Sequence, residues 1–416
     1  MDKVIFHIDM DSFFVSCERK NNPSLKNKPV VIATNFKRSI ITAASYEVKN
    51  KGFKVGEPLY LVKDKIPDLV FIGPHMELYS LISHQVFDYI KKTYCQKIQV
   101  YSIDECYLDV SEEIYKYGSA LNMAKTIQQD ILNTFDLPCS IGVSYSKFLA
   151  KMSTNKAKPF GILQTKKEDI EKNFYNLPVD KIFGVGRSTA PKLHKANIHT
   201  YKDLINIDNE LFLRKIFTKN YKVFINQLKG NNIEENQHQI NTKSISNSMT
   251  FMDKDSNDIN FIIDKLADIS LNISLRAKDL NVAGNNISFL IRNTNKQWFS
   301  FQKKLNHYTD NVEVIYKNVL ALFKSNFEGQ MVRGLGIRLS NLISKFDVPK
   351  QIDLLESDFE NKSNKRILID ELNIKFGDNV LKTGAELLKE HNVGTNNIKF
   401  LRQTHITKPK KIKLGD

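Results

Sequence analysis

YSIDECYLDV, residues 101–110, sets two carboxylates side by side inside a run that otherwise reads as a buried strand. Asp104 and Glu105 follow Ile103 and precede Tyr107, Leu108 and Val110. Like charges this close repel and resist desolvation, so they need a compensating cation or ready access to water. Strand patterns flank them at 97–103 and 106–110, and a first strand reads from KVIFHID, residues 3–9. A helix is expected over 78–94, with Leu78, Leu81, Ile82, Val86, Tyr89 and Ile90 on one face. A second is expected near 119–135 through Ala124, Ile127, Ile131 and Phe135, followed by a strand at 139–145.

That order is β-α-β-β-α-β, the ferredoxin-like split unit, with a long insertion after the first strand. The crossover makes the first two strands parallel, and the hairpin returns the third antiparallel between them. The hairpin tip therefore lies at the sheet end where the first strand finishes. Asp9 is at that end, so Asp9, Asp104 and Glu105 are expected to converge. Such a cluster suits Mg²⁺, which prefers hard oxygen ligands and keeps sites open for water and substrate phosphates. Two such ions can serve the attacking and leaving oxygens of an in-line phosphoryl displacement. A plain polar hairpin turn is the alternative for Asp104 and Glu105. Asp11 is either a fourth ligand or the N-cap of the next helix.

With 416 residues the chain is expected to hold two to four domains. No apolar run approaches the length that spans a bilayer, and the acidic start MDKVIFHIDMDS lacks the basic region of a signal peptide. A soluble, cytoplasmic protein without a membrane partner is expected. Cys17, Cys95, Cys106 and Cys139 have no zinc-site spacing, so reduced thiols are expected. The net charge of +15 suits a polyanionic partner, although Asn/Lys/Ile-rich composition alone could supply it.

HIDMDSFFVSCE followed by YSIDECYLDV resembles the two catalytic motifs of the Y-family (lesion-bypass) DNA polymerases. The resemblance continues through AASYEVKNKGFKVGEP, GVSYSKFLAKMSTNKAKPFGI, FGVGRSTAPKL and KSISNSMTF, over about residues 1–345. The choice between the polymerase IV and polymerase V types stays open. The resemblance implies an α+β multidomain fold: a ferredoxin-like palm (1–10 and 76–165), fingers (11–75), a helical thumb (166–230), a linker (231–243), an α+β little finger (244–345) and a tail (346–416). It implies template-directed transfer of a nucleotide from a dNTP to a primer 3′-hydroxyl, in translesion synthesis, with two Mg²⁺ ions. Asp9, Asp104 and Glu105 fall on the family's metal-binding carboxylates, with the Met10 carbonyl as a further ligand.

Phe14 falls on the steric gate that excludes a ribose 2′-hydroxyl, and Tyr46, Lys49 and Lys158 fall on contacts to the nucleotide's triphosphate. Lys49 stands where the family usually has arginine, and lysine lacks the planar bidentate fork. The turn of Gly184 and Gly186 resembles a helix-hairpin-helix whose amides can face a DNA phosphate. Arg333 and Arg338 are expected phosphate contacts on primer-template DNA. QIDLLE resembles the peptide that docks on the bacterial sliding clamp, through Gln351, Leu354 and Leu355. A monomer is expected. Two rival readings remain, a metal-dependent nucleotidyl cyclase and a non-catalytic DNA- and clamp-binding accessory protein.

Overall fold

The computed structural model describes residues 3–231 and 242–348. Most of the linker, and Gln351, Leu354 and Leu355 with the rest of the tail, lie outside the described residues. The chain divides into two compact units, whose described parts are 3–231 and 242–348.

In the first unit, β1 (Ile5–Met10) and α1 (Phe13–Asn21) lead into an inserted lobe. The lobe holds β2 (Val30–Ile32), β3 (Ala43–Ala44), α2 (Tyr46–Lys49), α3 (Leu59–Lys63) and β4 (Val70–Ile72), with a three-stranded sheet in the order β3-β2-β4. Then come α4 (Met76–Thr93), β5 (Ile98–Val100), β6 (Glu105–Asp109), α5 (Ala120–Phe135), β7 (Cys139–Ser144), α6 (Lys147–Ala157) and β8 (Ile162–Gln164). Their sheet runs β5-β6-β1-β7-β8. Its first four strands have the order and antiparallel pairing that the split unit requires, and β8 adds a fifth strand parallel to β7.

Every residue of β1 is buried because helices cover both sheet faces. Its even positions, Phe6, Ile8 and Met10, join the core beneath α4 and α5 with Val86, Ile90, Met123 and Ile127. Burying each such side chain stabilises the fold by about 1.5–3 kcal/mol. Alternation sends the odd positions, Ile5, His7 and Asp9, to the opposite face, where Ile5 meets Tyr107 and Ala150 of α6. Helix α6 lies close because Gly142 has no side chain: a Cβ there would sit 1.9 Å from the Ala150 carbonyl oxygen.

The strand expected at 97–103 stops at Val100. The amides of Tyr101 and Ser102 both turn back to the Glu105 carbonyl (3.0 and 3.2 Å), closing the hairpin early. The first unit ends in short helices, α7 (Ile170–Phe174), α8 (Ala190–His194), α9 (Tyr201–Ile205), α10 (Glu210–Phe217) and α11 (Tyr221–Leu228), around a core that includes Phe174, Leu193, Tyr201 and Leu204.

The second unit has β9 (Ser244–Thr250), α12 (Ile259–Asp279), β10 (Val282–Asn293), β11 (Trp298–Thr309), α13 (Val312–Asn326) and β12 (Val332–Ser344). Its antiparallel sheet is ordered β11-β10-β12-β9. Ile287, Phe289, Ile291, Leu335, Ile337 and Leu339 pack with Leu266, Ile273, Val319 and Phe323 of the two helices.

All four cysteines are buried and unpaired. Burial pushes the Cys17 thiol up to about 12 and Cys95 to about 11, and it raises Cys106 and Cys139 as well. Among the described residues, no helix is long and apolar enough to cross a membrane.

Candidate active site

Asp9 and Glu105 are direct cross-strand partners at the end of β1 and the start of β6. The Met10 amide donates to the Asp104 carbonyl at 2.9 Å, which locks the hairpin tip against the strand end. The three carboxylates that element order predicted to converge therefore belong to one sheet end.

In this structure each carboxylate is satisfied by protein donors. Lys158 pairs with Asp9 at 2.5 Å, and Lys151 pairs with Glu105. His7 Nε2 lies 3.2 Å from the same Glu105 oxygen, and its Nδ1 lies 2.9 Å from the Thr154 hydroxyl. Burial lowers the pKa of His7, so the ring beside Glu105 is held neutral. Asp104 accepts from Ser102 Oγ at 2.5 Å. Among the described residues, no three carboxylate, histidine or cysteine side chains stand close enough to share one ion in this arrangement.

The charge balance nevertheless fits a divalent cation. Burial pushes the Asp9 carboxyl up to about 6 against the pull of Lys158, and the charges of Asp104 and Glu105 add to the rise. Burial also opposes ionisation of Glu105, but the hydrogen bonds from His7 and Lys151 outweigh it and hold that carboxyl down at about 2. A buried anion raised by its own neighbours is stabilised by added positive charge, and the donors are the hard oxygens Mg²⁺ prefers.

Cations flank this cluster, and an aromatic pair involves the helix that follows β1. Lys49 donates to Ser12 Oγ at 2.8 Å and stands 4.4 Å from the centre of the Tyr46 ring. Burial lowers its pKa, and the nearby charge of Lys158 lowers it further. Phe13 is buried in the core, whereas Phe14 is half-buried and stacks on Tyr79. Asp11 is not the N-cap of α1. Its carboxylate accepts from Tyr46, Ser140 and the Phe160 amide, and Ser12 occupies the cap position of α1.

Comparison with known proteins agrees with this arrangement. The impB/mucB/samB family profile matches residues 8–155, its C-terminal domain profile matches 242–354, and the IMS family HHH motif matches 167–198. DNA polymerase IV of Oceanobacillus iheyensis is 33% identical over 384 residues, covering 91% of each chain. DNA polymerase IV of Ureaplasma parvum is 32% identical over 360 residues, covering 85% of this chain and 98% of its own. The chain belongs to the Y-family DNA polymerases. Among solved structures, a Y-family DNA polymerase chimera, Dbh-Dpo4(243-245)-Dbh, is similar with a TM-score of 0.71 and 25% identity, covering 82% of this chain and 99% of that one.

The second unit of this Y-family polymerase presents an open sheet face. Register and alternation place Trp298, Ser300, Gln302 and Lys304 of β11 beside Arg292, Leu290, Ser288 and Asn286 of β10. The rows continue into Gly334, Gly336, Arg338 and Ser340 of β12 and Thr250, Ser248, Ser246 and Ser244 of β9. A Cβ on Gly334 would lie 2.4 Å from the Met249 carbonyl, and one on Gly336 would lie 2.8 Å from Ser248. The face is therefore nearly flat, and small hydroxyl groups and cations dominate it.

Arg338 stands exposed on this face. Arg333 sits at the register shift between Val332 and Gly334 of β12, where it pairs with Asp255 at 3.2 Å and donates to the Thr294 carbonyl. In the first unit, the segment before Gly184 is a single 3₁₀ turn (Val179–Lys181), and α8 after it has only five residues. The helix-hairpin-helix is thus shorter than the sequence suggested. Gly184 has φ +94°, and a Cβ there would meet the Phe224 ring at 2.8 Å. Nothing lies within 4 Å of the corresponding point on Gly186, which leaves its backbone approachable.

Sequence reasoning missed Lys151, His7 and Thr154. All three lie beneath the carboxylates, and only the i, i+3 spacing of Lys151 and Thr154 on one helix face hinted at a shared role.

Proposed function

We propose that this Y-family DNA polymerase performs translesion synthesis with Asp9, Asp104 and Glu105 as its metal-binding carboxylates. The cross-strand pairing of Asp9 with Glu105, with Asp104 tied to Met10, carries the reading. The chain is a DNA-directed DNA polymerase, and it extends a primer 3′-hydroxyl with nucleotides from dNTPs, releasing pyrophosphate.

We read residues 1–10 and 76–165 as the palm, 11–75 as fingers, 166–230 as thumb and 244–345 as little finger. Two Mg²⁺ ions would be held by the three carboxylates and the Met10 carbonyl, and when bound they supply charge neutralisation at the triphosphate and acidify the primer hydroxyl. The chain's own groups position the reactants. Lys49 and Lys158 offer cations to the triphosphate once Lys158 leaves Asp9, and the Tyr46 hydroxyl offers a donor. Phe14, stiffened by Tyr79, faces the sugar. His7 and Lys151 fix the Glu105 carboxylate from below.

Gly186, with Gly184 shaping its turn, and Arg338 on the flat second-unit face engage phosphates of primer-template DNA. The pairing of Arg333 with Asp255 favours a structural role for that residue. Gln351, Leu354 and Leu355 are proposed to dock on a sliding clamp, with a cytoplasmic monomer as the working unit.

Primer extension with dNTPs and Mg²⁺, on undamaged and abasic-site templates, tests the reading. Wild type should extend both, and Asp104→Ala should bind DNA but extend neither. Tight DNA binding without extension by the wild type would leave only an accessory role.

A further inference from the structure

Asp11 is 2% exposed, and its carboxylate gathers three segments of the first unit. Oδ1 accepts from the Tyr46 hydroxyl at 2.9 Å. Oδ2 accepts from Ser140 Oγ of β7 at 2.9 Å and from the Phe160 amide at 2.7 Å. Replacing these donors with a cation would strand buried N–H and O–H groups, which is costly. The side chain is therefore fully employed by the protein.

Two of the three partners serve groups placed around the carboxylate cluster: Tyr46 carries a hydroxyl there, and Phe160 follows Lys158. Phe160 stands two residues after Lys158, with φ +48°, so its amide anchors the turn from which Lys158 reaches Asp9. Tyr46 opens α2 and Lys49 closes it. Asp11 holds Tyr46, and the next residue, Ser12, accepts from Lys49 at 2.8 Å. Two consecutive residues beyond β1 thus hold both ends of α2, and the first of them also holds the Lys158 turn.

We propose that Asp11 is a positioning residue that sets Tyr46 and Lys158 at a fixed separation, so that both meet the same nucleotide triphosphate. The assignment rests on the triphosphate reading of those two residues given above. Asp11 touches no reacting atom. Its effect passes through groups whose displacement by about 1 Å can cost up to a hundredfold.

Steady-state incorporation of a single dNTP, with Asp11→Ala, Asp11→Asn, Tyr46→Phe and the Asp11→Ala/Tyr46→Phe pair, tests this. Asp11→Ala should raise the dNTP KM about tenfold with kcat within about threefold of wild type, a split that marks lost binding rather than lost chemistry. Asp11→Asn, which keeps an acceptor for Ser140 and Phe160 and an amide against Tyr46, should recover KM to within about threefold. The pair should fall short of the product of the single effects, as coupled neighbours do. The dNTP dissociation constant, measured with a dideoxy-terminated primer and Ca²⁺, should rise in parallel with KM.

A folded Asp11→Ala with unchanged KM and unchanged dissociation constant would overturn the assignment, as would a loss confined to kcat. If Asp11→Ala does not fold, Ser140→Ala replaces it. That change should raise KM about threefold and be non-additive with Tyr46→Phe, and strict additivity would overturn the proposal. A wild type that extends no primer would instead sink the polymerase reading, and this inference with it.

Discussion

The ring of Phe14 lies stacked on the ring of Tyr79, with centroids 4.4 Å apart and planes 14° from parallel. Tyr79 cannot yield, because it is wholly buried and its hydroxyl donates to Glu18 at 2.6 Å. Glu18 is buried in turn and is also engaged by His75 Nδ1 at 2.7 Å. A gate is only as selective as the wall behind it is stiff. Phe14→Ala should therefore raise the ratio of ribonucleotide to deoxyribonucleotide kcat/KM by about a hundredfold. Tyr79→Leu, which leaves Phe14 in place but softens its backing, should raise it by about tenfold. Competing single-nucleotide incorporation assays measure both, and an unchanged ratio in Phe14→Ala would remove it as the gate.

Two arginines on one strand should behave differently. Arg338→Ala should weaken DNA binding and flatten the dependence of log K on log salt by about one unit, as one lost phosphate contact does. Arg333→Ala should leave that slope alone. Breaking its partly buried pair with Asp255 should instead lower the stability of the second unit. Fluorescence anisotropy at graded salt, paired with thermal melts, separates the two effects.

The raised carboxyl of Asp9 links the metal to pH. Its pKa of about 6 means that a proton competes for the site as pH falls through that value, while Glu105, near 2, stays ionised. Mg²⁺ half-saturation, read from thermal stabilisation, should rise about fivefold between pH 6 and pH 5 and little between pH 8 and pH 7. Asp9→Asn should bind Mg²⁺ weakly and without that pH dependence.

Gly142→Ala tests the close approach of α6 to the sheet. The added methyl would lie 1.9 Å from one backbone atom and 2.4 Å from another, the Thr154 nitrogen, and neither can step aside alone. A loss of about 3 kcal/mol or more in unfolding free energy is expected. Because α6 carries Lys151 and Thr154, whatever folded protein remains should also lose polymerase activity. Chemical denaturation and primer extension on the same preparation check both.

How far the sequence could be read follows from what periodicity encodes. Alternation and 3.6-residue spacing report burial, and element order with the crossover rule then carried Asp9 to the Glu105 hairpin without any family knowledge. The same signals are silent on which polar groups meet. Lys151 looks like any helix lysine until Gly142 lets α6 sink onto β1. The embrace of Asp11 by residues 46, 140 and 160 depends on contacts up to 149 positions apart. Arg333 and Arg338 lie on one strand, but the register shift beside Arg333 and the Asp255 that claims it are not written in strand alternation. The early end of β5 turned on two amides reaching one carbonyl, which no propensity scale foresees.

The four cysteines carry a further consequence. Each thiol is buried, and burial holds it in the protonated, unreactive form at neutral pH. Peroxides and electrophiles attack thiolates, and the same agents damage DNA bases. An enzyme needed while such agents are present offers them no soft target among its cysteines, so its thiols should survive the chemical stress that creates its substrate.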